Sequence, residues 1–371
     1  MDYINELESV VRGTVDELAS VTDKEARFPR AAIEALAGKG LLGLVSAKEV
    51  GGQGLGLAEA SQVVRRLAAS CPSTAMVVAM HYCAVAVIEQ LGAEPLRRKI
   101  AAGKHLTTLA FSEAESRSHF WAPASTARQE GEEIVLDARK SWITSACEAD
   151  SYVWSSKPVA AEGASSIWLV DAKAAGLTQP APFDGMGMRG NSSSPITATG
   201  VRIPAANRLG EDGKGFDVMM GIVLPWFSVF NASSSVGIME GSIERACAHV
   251  GKTRHQHLGT SLADLPTIRA YLARARIKTD MAACLLQDTL AAIAGGRADT
   301  MLRVLEVKAG CAETVLEVTD IAMRVCGGAA FRKEVGVERL FRDARAANAM
   351  APTSDVLFDF IGKAVTGLPL F

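Results

Sequence analysis

Two stretches near the C-terminus carry residue types that could contact a phosphate group. Thr353 and Ser354 follow Pro352 at the start of a helical pattern, where hydroxyl side chains are typical N-caps. The N–H groups at such a helix start favour an anion such as phosphate, and a simple N-cap is compatible with that role. Gly327 and Gly328 would let the backbone approach a ligand closely, although a helix C-cap explains the pair equally well.

Charge and cysteine content argue against several other functions. The formal net charge of -2 and the pI of about 6.3 leave no surplus that would attract nucleic acid or an anionic membrane. The seven cysteines are scattered singly, without a CxxC pair and without histidines at metal-ligand spacing. We therefore expect a small-molecule ligand, no metal site and reduced thiols. Because the N-terminus has neither a basic nor an apolar targeting region, we also expect a cytoplasmic location.

The elements that must position these residues fall into three regions and predict an α+β fold. Residues 1–106 carry apolar residues at three- and four-residue spacing, which predicts an N-terminal helical domain. In residues 107–215, short β-prone runs alternate with turn residues, as expected of a central antiparallel β domain. Long periodic runs in residues 216–371 predict a C-terminal helical bundle. The apolar run 75–91 is short for a membrane span, so we interpret it as a buried helix.

An ordered series of motifs along the whole chain resembles the acyl-CoA dehydrogenase superfamily. Each motif alone is a weak signal, but their number and order make the resemblance strong for the fold. The motifs are FPRAAIEALAGKGLLGLVSAKEVGGQGLGL at 28–57, KSWITS at 140–145, MGMRG at 186–190, VRIP at 201–204, NRLGEDGKGF at 207–216, CGGAAF at 326–331, VERLFRDAR at 337–345 and PTSD at 352–355.

The resemblance implies that the chain binds FAD through the residues at matching motif positions. Trp142 would lie along the flavin ring, Thr144 would hydrogen-bond near its reactive N5, and Ser112 would meet the pyrimidine edge. Arg254 would cross a subunit boundary to the cofactor pyrophosphate, which implies a homodimer or homotetramer. Pyrophosphate contacts imply FAD rather than FMN. The other implied cofactor contacts are Gly327, Gly328, Thr353 and Asp355.

The chain departs from the family where the substrate proton is handled. At the position of the glutamate that removes the α-proton this sequence has Ala351, and the alternative base position falls on Phe227. Neither side chain can accept a proton, and a positioned base is worth about 10²- to 10⁴-fold in rate. The loop that reads TEPGAGSD in the family reads SEAESRSH at 112–119, which puts charge and bulk where the family holds substrate. The implied substrate contacts are Arg117, Ser118, His81 and Phe227.

Three explanations of the missing carboxylate stay open. The first is dehydrogenation with a relocated base, for which His119, Glu115 and Glu240 are candidates. The second is a base-less subunit that pairs with a related chain supplying the base. The third is different flavin chemistry, such as monooxygenation or removal of a leaving group, which needs no α-proton base.

We predict the first: a flavin-dependent oxidoreductase acting on the CH–CH group of an acyl thioester, for which acyl-CoA is one carrier. A flavin-dependent monooxygenase is the alternative enzyme. A scaffold that binds FAD without catalysis is the alternative outside enzymology.

Overall fold

In the computed structural model, which describes residues 2–257 and 259–370, the first region of the chain is helical. Its helices are α1 (Tyr3–Val10), α2 (Asp16–Lys24), α3 (Arg30–Gly38), α4 (Leu57–Ser70), α5 (Pro72–Leu91) and α6 (Glu94–Ala101). Along α4 the apolar residues Ala60, Val63, Val64 and Leu67 recur at three- and four-residue spacing and are buried. The helical prediction for this region is confirmed.

Helix α5 is apolar around its whole circumference, and residues 72–88 are all buried. Pro72 fits at its start because the N–H missing from proline has no intrahelical acceptor there. By length and composition α5 and the stretch Gly215–Lys252 could each cross a membrane. However, 83% and 78% of their most apolar windows are buried inside the protein, so core packing accounts for both. The interpretation of α5 as a buried helix is confirmed.

Two small sheets dominate the central region. Its strands are β1 (Thr107–Ala110), β2 (Thr126–Glu130), β3 (Glu133–Ile143), β4 (Ser151–Ser156), β5 (Ser166–Asp171), β6 (Leu177–Thr178) and β7 (Ser194–Pro204). One sheet has the order β1-β4-β5 and the other the order β2-β3-β7-β6. The pairs are antiparallel as predicted, except for β1 and β4. Those two can run parallel because the chain between them, which includes the hairpin β2–β3, is long enough to return to the same end of the sheet before β4 begins.

The two sheets bury a common apolar core that holds β3 in place. Ile134 and Leu136 of β3 pack there with Ile196 of β7. Trp154 and Trp168 are cross-strand partners in the other sheet, and both side chains are fully buried. Large apolar residues on facing strands therefore anchor β3, whose last residues carry the KSWITS motif.

Helices return in the third region, which confirms the predicted α+β class. They are α7 (Gly215–Val218), α8 (Leu224–Lys252), α9 (Pro266–Gly295), α10 (Thr300–Cys326), α11 (Val337–Ala344), α12 (Ala346–Ala349) and α13 (Ser354–Thr366), with a short hairpin of β8 (Arg254–His255) and β9 (Thr260–Ser261). Helix α8 approaches α4 so closely that a Cβ at Gly237 would lie 2.1 Å from the Arg65 carbonyl oxygen. Glycine at this position thus brings the N- and C-terminal helices together.

Candidate functional site

A cleft of about 870 Å³ lies where the three regions of the chain meet. Its wall is formed by α5, the loop after β1, the end of β3, the loop 183–193, the start of α8 and the segment 342–351. The chain places seven of the sequence candidates in this wall. They are Ser112, Arg117, Ser118, Trp142, Thr144, Phe227 and Ala351.

A buried ion pair fixes the wall beside the KSWITS motif. The Lys140 Nζ donates to Glu113 Oε1 at 2.6 Å and to the Ser155 carbonyl oxygen at 2.7 Å. Glu113 also accepts from the N–H groups of Ala124 and Ser125. Burial lowers the pKa of Lys140 to about 8 against the attraction of the Glu113 charge. Burial opposes ionisation of Glu113, but the charge and hydrogen bond of Lys140 outweigh it and lower the Glu113 pKa.

The expected flavin contacts share the wall that this ion pair supports. The Ser141 N–H donates to the Ser112 carbonyl oxygen at 2.9 Å, so the loop after β1 is held against the end of β3. Trp142 has a positive φ of 58° and leaves 64% of its surface exposed, with its ring centroid 4.3 Å from that of Phe183. Thr144 is buried beside it. An exposed aromatic face next to hydroxyl groups suits a flat, polar-edged ring such as isoalloxazine.

The RDAR motif ties the three regions together at the mouth of the cleft. The Arg342 guanidinium pairs with Asp23 of α2 at 2.6 Å. Asp343 accepts the N–H of Met188 at 2.6 Å, which holds the loop 183–193 against α11. Burial raises the pKa of Asp343 to about 6, although the Met188 hydrogen bond acts in the opposite direction. These contacts are structural, and they shape the cleft from residues far apart in the chain.

The loop after β1 also reaches the start of α13. The Ser118 hydroxyl donates to Thr353 Oγ1 at 3.3 Å, so one cleft residue contacts the N-cap of α13. Arg117 precedes it with a positive φ of 48°, a backbone conformation that glycine adopts more easily. Arg117 therefore occupies its position in the cleft wall with some backbone strain.

Both positions expected to carry a proton acceptor line the cleft without one. Ala351 and Phe227 belong to its wall together with Met350 and Val223, all of them apolar. Among the described residues that line the cleft, Glu113 is the only carboxylate, and its oxygens are engaged by Lys140 and Ser125. The lining therefore offers no free carboxylate for removal of an α-proton.

Sequence reasoning missed Lys308, a buried cation directly behind Ala351. Its Nζ donates to the carbonyl oxygens of Ala347, Met350 and Pro352 at 3.3, 3.0 and 2.8 Å. Burial lowers its pKa to about 7, and the three carbonyl acceptors favour the protonated amine. Lys308 does not itself line the cleft, so its amine is not presented to a ligand there. The signal in the sequence was a lysine within the apolar face of α10.

The three candidates for a relocated base do not line the cleft. Glu240 lies on α8 and binds Arg65 of α4 through two hydrogen bonds of 3.0 and 2.5 Å. Glu115 is exposed and faces a separate depression beside β3 and β7. The His119 ring is exposed and packs edge-on against Trp121 at 5.1 Å. These positions correct the expectation, because none of the three residues belongs to the lining of the cleft.

His81 is likewise placed in the core instead of the cleft. Its Nδ1 accepts the N–H of Thr107 at 3.2 Å, so its Nε2 donates to the Leu42 carbonyl oxygen, also at 3.2 Å. Burial lowers its pKa to about 4, which keeps the ring neutral. The same helix faces the cleft through Met76 and Met80. His81 was expected to contact substrate, but its ring is buried and bonds to the turn at Leu42 and to β1.

The remaining cofactor candidates lie on the surface of this chain, outside the cleft. Arg254 is exposed on β8, and Asp355 is exposed in the first turn of α13. Gly327 has a positive φ of 56°, and a Cβ added at Gly327 or Gly328 would meet nothing within 4 Å. Their roles as cofactor contacts stay predictions, and so does the subunit boundary that Arg254 was expected to cross.

The family of the chain follows from its matches to known protein families. Models of the acyl-CoA dehydrogenase N-terminal, middle and C-terminal domains match residues 3–103, 108–201 and 213–366. The chain belongs to the acyl-CoA dehydrogenase superfamily. It is accordingly a flavin-dependent oxidoreductase, which confirms the enzyme class predicted from the motifs.

The similar proteins are named as dehydrogenases and a reductase. Cyclohex-1-ene-1-carbonyl-CoA dehydrogenase of Syntrophus aciditrophicus is 28% identical over 359 residues, covering 92% of this chain and 84% of the relative. A 3-(aryl)acrylate reductase of Clostridium sporogenes is 28% identical over 354 residues, covering 92% of each chain. The solved glutaryl-coenzyme A dehydrogenase in complex with glutaryl-CoA superposes with a TM-score of 0.92 at 22% identity, covering 99% and 94% of the two chains. That similarity shows the fold.

Proposed function

We propose that the chain binds FAD in the cleft and oxidises the CH–CH group of an acyl thioester without a carboxylate base of its own, so that the α-proton leaves to solvent water at the opening of the cleft. The observation that carries the proposal is the convergence of Ser112, Trp142 and Thr144 in the same wall as Ala351 and Phe227. The relatives' names support acyl substrates as the class. FAD, when bound, supplies the two-electron redox chemistry.

The protein's own residues orient both ligands and exclude water. Trp142 would support one face of the flavin ring, while Thr144 and Ser112 would hydrogen-bond its polar edge. The apolar side chains Met76 and Met80 line the cleft and exclude water around an acyl chain. Thr353 begins the 13-residue helix α13, whose free N–H groups favour the pyrophosphate.

Assembly completes the proposed cofactor site. Arg254, Gly327 and Gly328 are exposed and lie apart from this chain's cleft. We propose a homodimer or homotetramer in which these residues approach the FAD of a neighbouring subunit. An Arg254→Ala variant that keeps its oligomeric state but loses FAD on gel filtration would support this arrangement. Full FAD content in the variant would refute it.

The test of the reaction is anaerobic titration of the flavin-loaded protein with an acyl-CoA while flavin absorbance is followed. Bleaching without NAD(P)H supports thioester oxidation, and the Ala351→Glu variant should bleach about 10²-fold faster or more, because it gains a base at the family position. An oxygenated product formed only after external reduction of the flavin would indicate a monooxygenase instead. The absence of a base in the cleft wall is the observation that favours that second candidate.

A base-less subunit of a heteromeric dehydrogenase is the third candidate. It predicts that a related chain co-purifies and that bleaching requires that partner. Activity of the isolated chain would exclude it.

A further inference from the structure

The cleft wall carries more positive than negative charge. Four of its described lining residues are arginines, whereas Glu113 is its only carboxylate. Glu113 is already neutralised by Lys140, with both side chains almost completely buried. The net charge of the wall therefore depends on how many of the four arginines pair with acidic residues outside the lining.

Two of the four arginines are neutralised by neighbours. Arg189 pairs with Asp184 at 2.6 Å. Arg342 pairs with Asp23 at 2.6 Å and with Glu338 at 2.7 Å. These ion pairs stabilise the loop 183–193 and α11. The positive charge of each guanidinium is therefore already compensated without a ligand.

Arg117 and Arg345 differ from these two, because within the described residues neither forms an ion pair. The Arg345 guanidinium lies over the Phe341 ring at 4.1 Å from its centroid, which restricts the side chain without neutralising it. Arg345 belongs to the same segment as Ala351, and Arg117 stands on the loop after β1 with a positive φ of 48°. Both residues line the cleft, Arg117 with an exposed side chain and Arg345 with a partly buried one, and among the described residues neither charge is neutralised by an acidic side chain.

We propose that Arg117 and Arg345 bind a free carboxylate of the substrate, so that the cleft selects acyl thioesters bearing an additional negative charge. The inference rests on the proposed function and names its substrate class. Guanidinium groups match the planar geometry of a carboxylate and can donate two parallel hydrogen bonds to it. At the partly buried Arg345 the attraction between the charges is stronger than in water, and Phe341 already limits the motion of its side chain.

The cofactor pyrophosphate is the other anion that could meet these arginines. Arg117 adjoins Ser118, which contacts Thr353 at the start of α13, whereas Arg345 has no such link. A test must therefore separate affinity for the cofactor from affinity for the substrate, and it must avoid the phosphates of coenzyme A.

The N-acetylcysteamine thioesters of glutaric and pentanoic acid form a matched pair, because they differ by a carboxylate in place of a methyl group and carry no phosphate. Binding is measured by perturbation of the flavin absorbance in an anaerobic titration of the flavin-loaded protein. We expect the glutaryl ester to bind roughly tenfold more tightly or better, with a preference that declines as salt is added. In Arg117→Gly and Arg345→Gln the preference should be largely lost, because glutaryl affinity should fall several-fold more than pentanoyl affinity, with FAD still bound.

Arg12→Gln serves as the control, because Arg12 is exposed and pairs with Glu8 far from the cleft lining. It should keep the full preference. Equal binding of the two esters by the wild-type protein would overturn the inference alone. Loss of FAD together with equal weakening of both esters in the two cleft variants would also overturn it and assign the arginines to the pyrophosphate. If neither ester perturbs the bound flavin, the proposed function fails and this inference with it.

Discussion

One fully buried lysine supports the wall around Trp142 and another lies behind the segment around Ala351, but the positive charges of the two lysines are compensated differently. Lys140 faces a carboxylate, Glu113, and hydrogen-bonds to Ser155. Lys308 has only backbone carbonyl oxygens as hydrogen-bond acceptors within the described chain. The first arrangement is a neutral network that supports the expected flavin contacts.

The second arrangement holds a positive charge behind a cleft wall that lacks its carboxylate. The difference separates a neutral network beside the expected flavin contacts from a charged group behind position 351. We therefore expect substitutions in the first region to act on stability and FAD binding and those in the second to act on the pH dependence of stability. The variants below test this separation, starting with the largest expected effect.

Breaking the neutral network should have the largest consequence. Lys140→Met leaves the Glu113 charge buried without its partner, so we expect the free energy of unfolding to fall by about 3–5 kcal/mol. Denaturant unfolding of the flavin-free protein measures this loss. The double variant Lys140→Met, Glu113→Gln is the control, because removing both charges should restore a large part of the stability. A single variant as stable as wild type would mean that the pair does not support the wall.

Lys308→Met should destabilise the protein less, by about 2 kcal/mol at neutral pH. Three carbonyl groups lose their donor, at about 1–3 kcal/mol for an unsatisfied group, but a buried charge is removed at the same time. The Lys308 pKa of about 7 lies below that of an unfolded lysine. The folded state therefore releases the proton first, and wild-type stability attributable to this group rises as pH increases from about 7 to about 10.

Unfolding at several pH values in that range checks the effect. The stability difference between wild type and Lys308→Met should widen as pH rises. A difference that stays constant would show that Lys308 titrates normally. A difference that narrows would contradict the sign derived from its burial.

Trp142→Ala tests the contribution of Trp142 to FAD binding and leaves the buried core unchanged. Because most of the side chain is exposed, we expect a change in unfolding free energy of the flavin-free protein within about 0.5 kcal/mol. Loss of a stacking partner worth about 0.5–1.5 kcal/mol should weaken FAD binding by up to about tenfold. Fluorescence titration with FAD gives the dissociation constant, and Trp142→Phe should recover part of the affinity. Unchanged affinity in Trp142→Ala would remove Trp142 from the flavin site.

His119→Gln should have the smallest effect. The ring lies outside the cleft lining, so the rate of flavin reduction and its pH dependence should stay within about twofold of wild type. Glu115→Gln is a parallel control on the same loop. A large loss of rate in either variant, with FAD still bound, would identify the base that the cleft wall lacks and would erase the contrast between the two regions.

Much of the architecture could be predicted from the pattern of apolar and polar residues within short segments of the sequence. Apolar spacing of three and four residues predicted the helices. The β-prone runs at 151–154 and 166–170 match β4 and β5 closely, whereas those at 133–136 and 196–201 cover only parts of β3 and β7. The parallel pairing of β1 with β4 was missed, because pairing direction depends on the route of the intervening chain. Side-chain surroundings were harder to predict. His81 and Glu240 satisfy their polar groups with residues 26 to 175 positions away in the chain.

The sequence by itself determined the α+β class, the cofactor motif around Trp142 and the absence of a carboxylate at position 351. These features depend on local periodicity and residue identity, which are readable one segment at a time. Only the tertiary structure decided that Lys308 lies behind Ala351 and that Arg117 and Arg345 line one cleft without an acidic partner among the described residues. Charge compensation depends on which distant segments come into contact, and that is determined when the core of the whole chain packs.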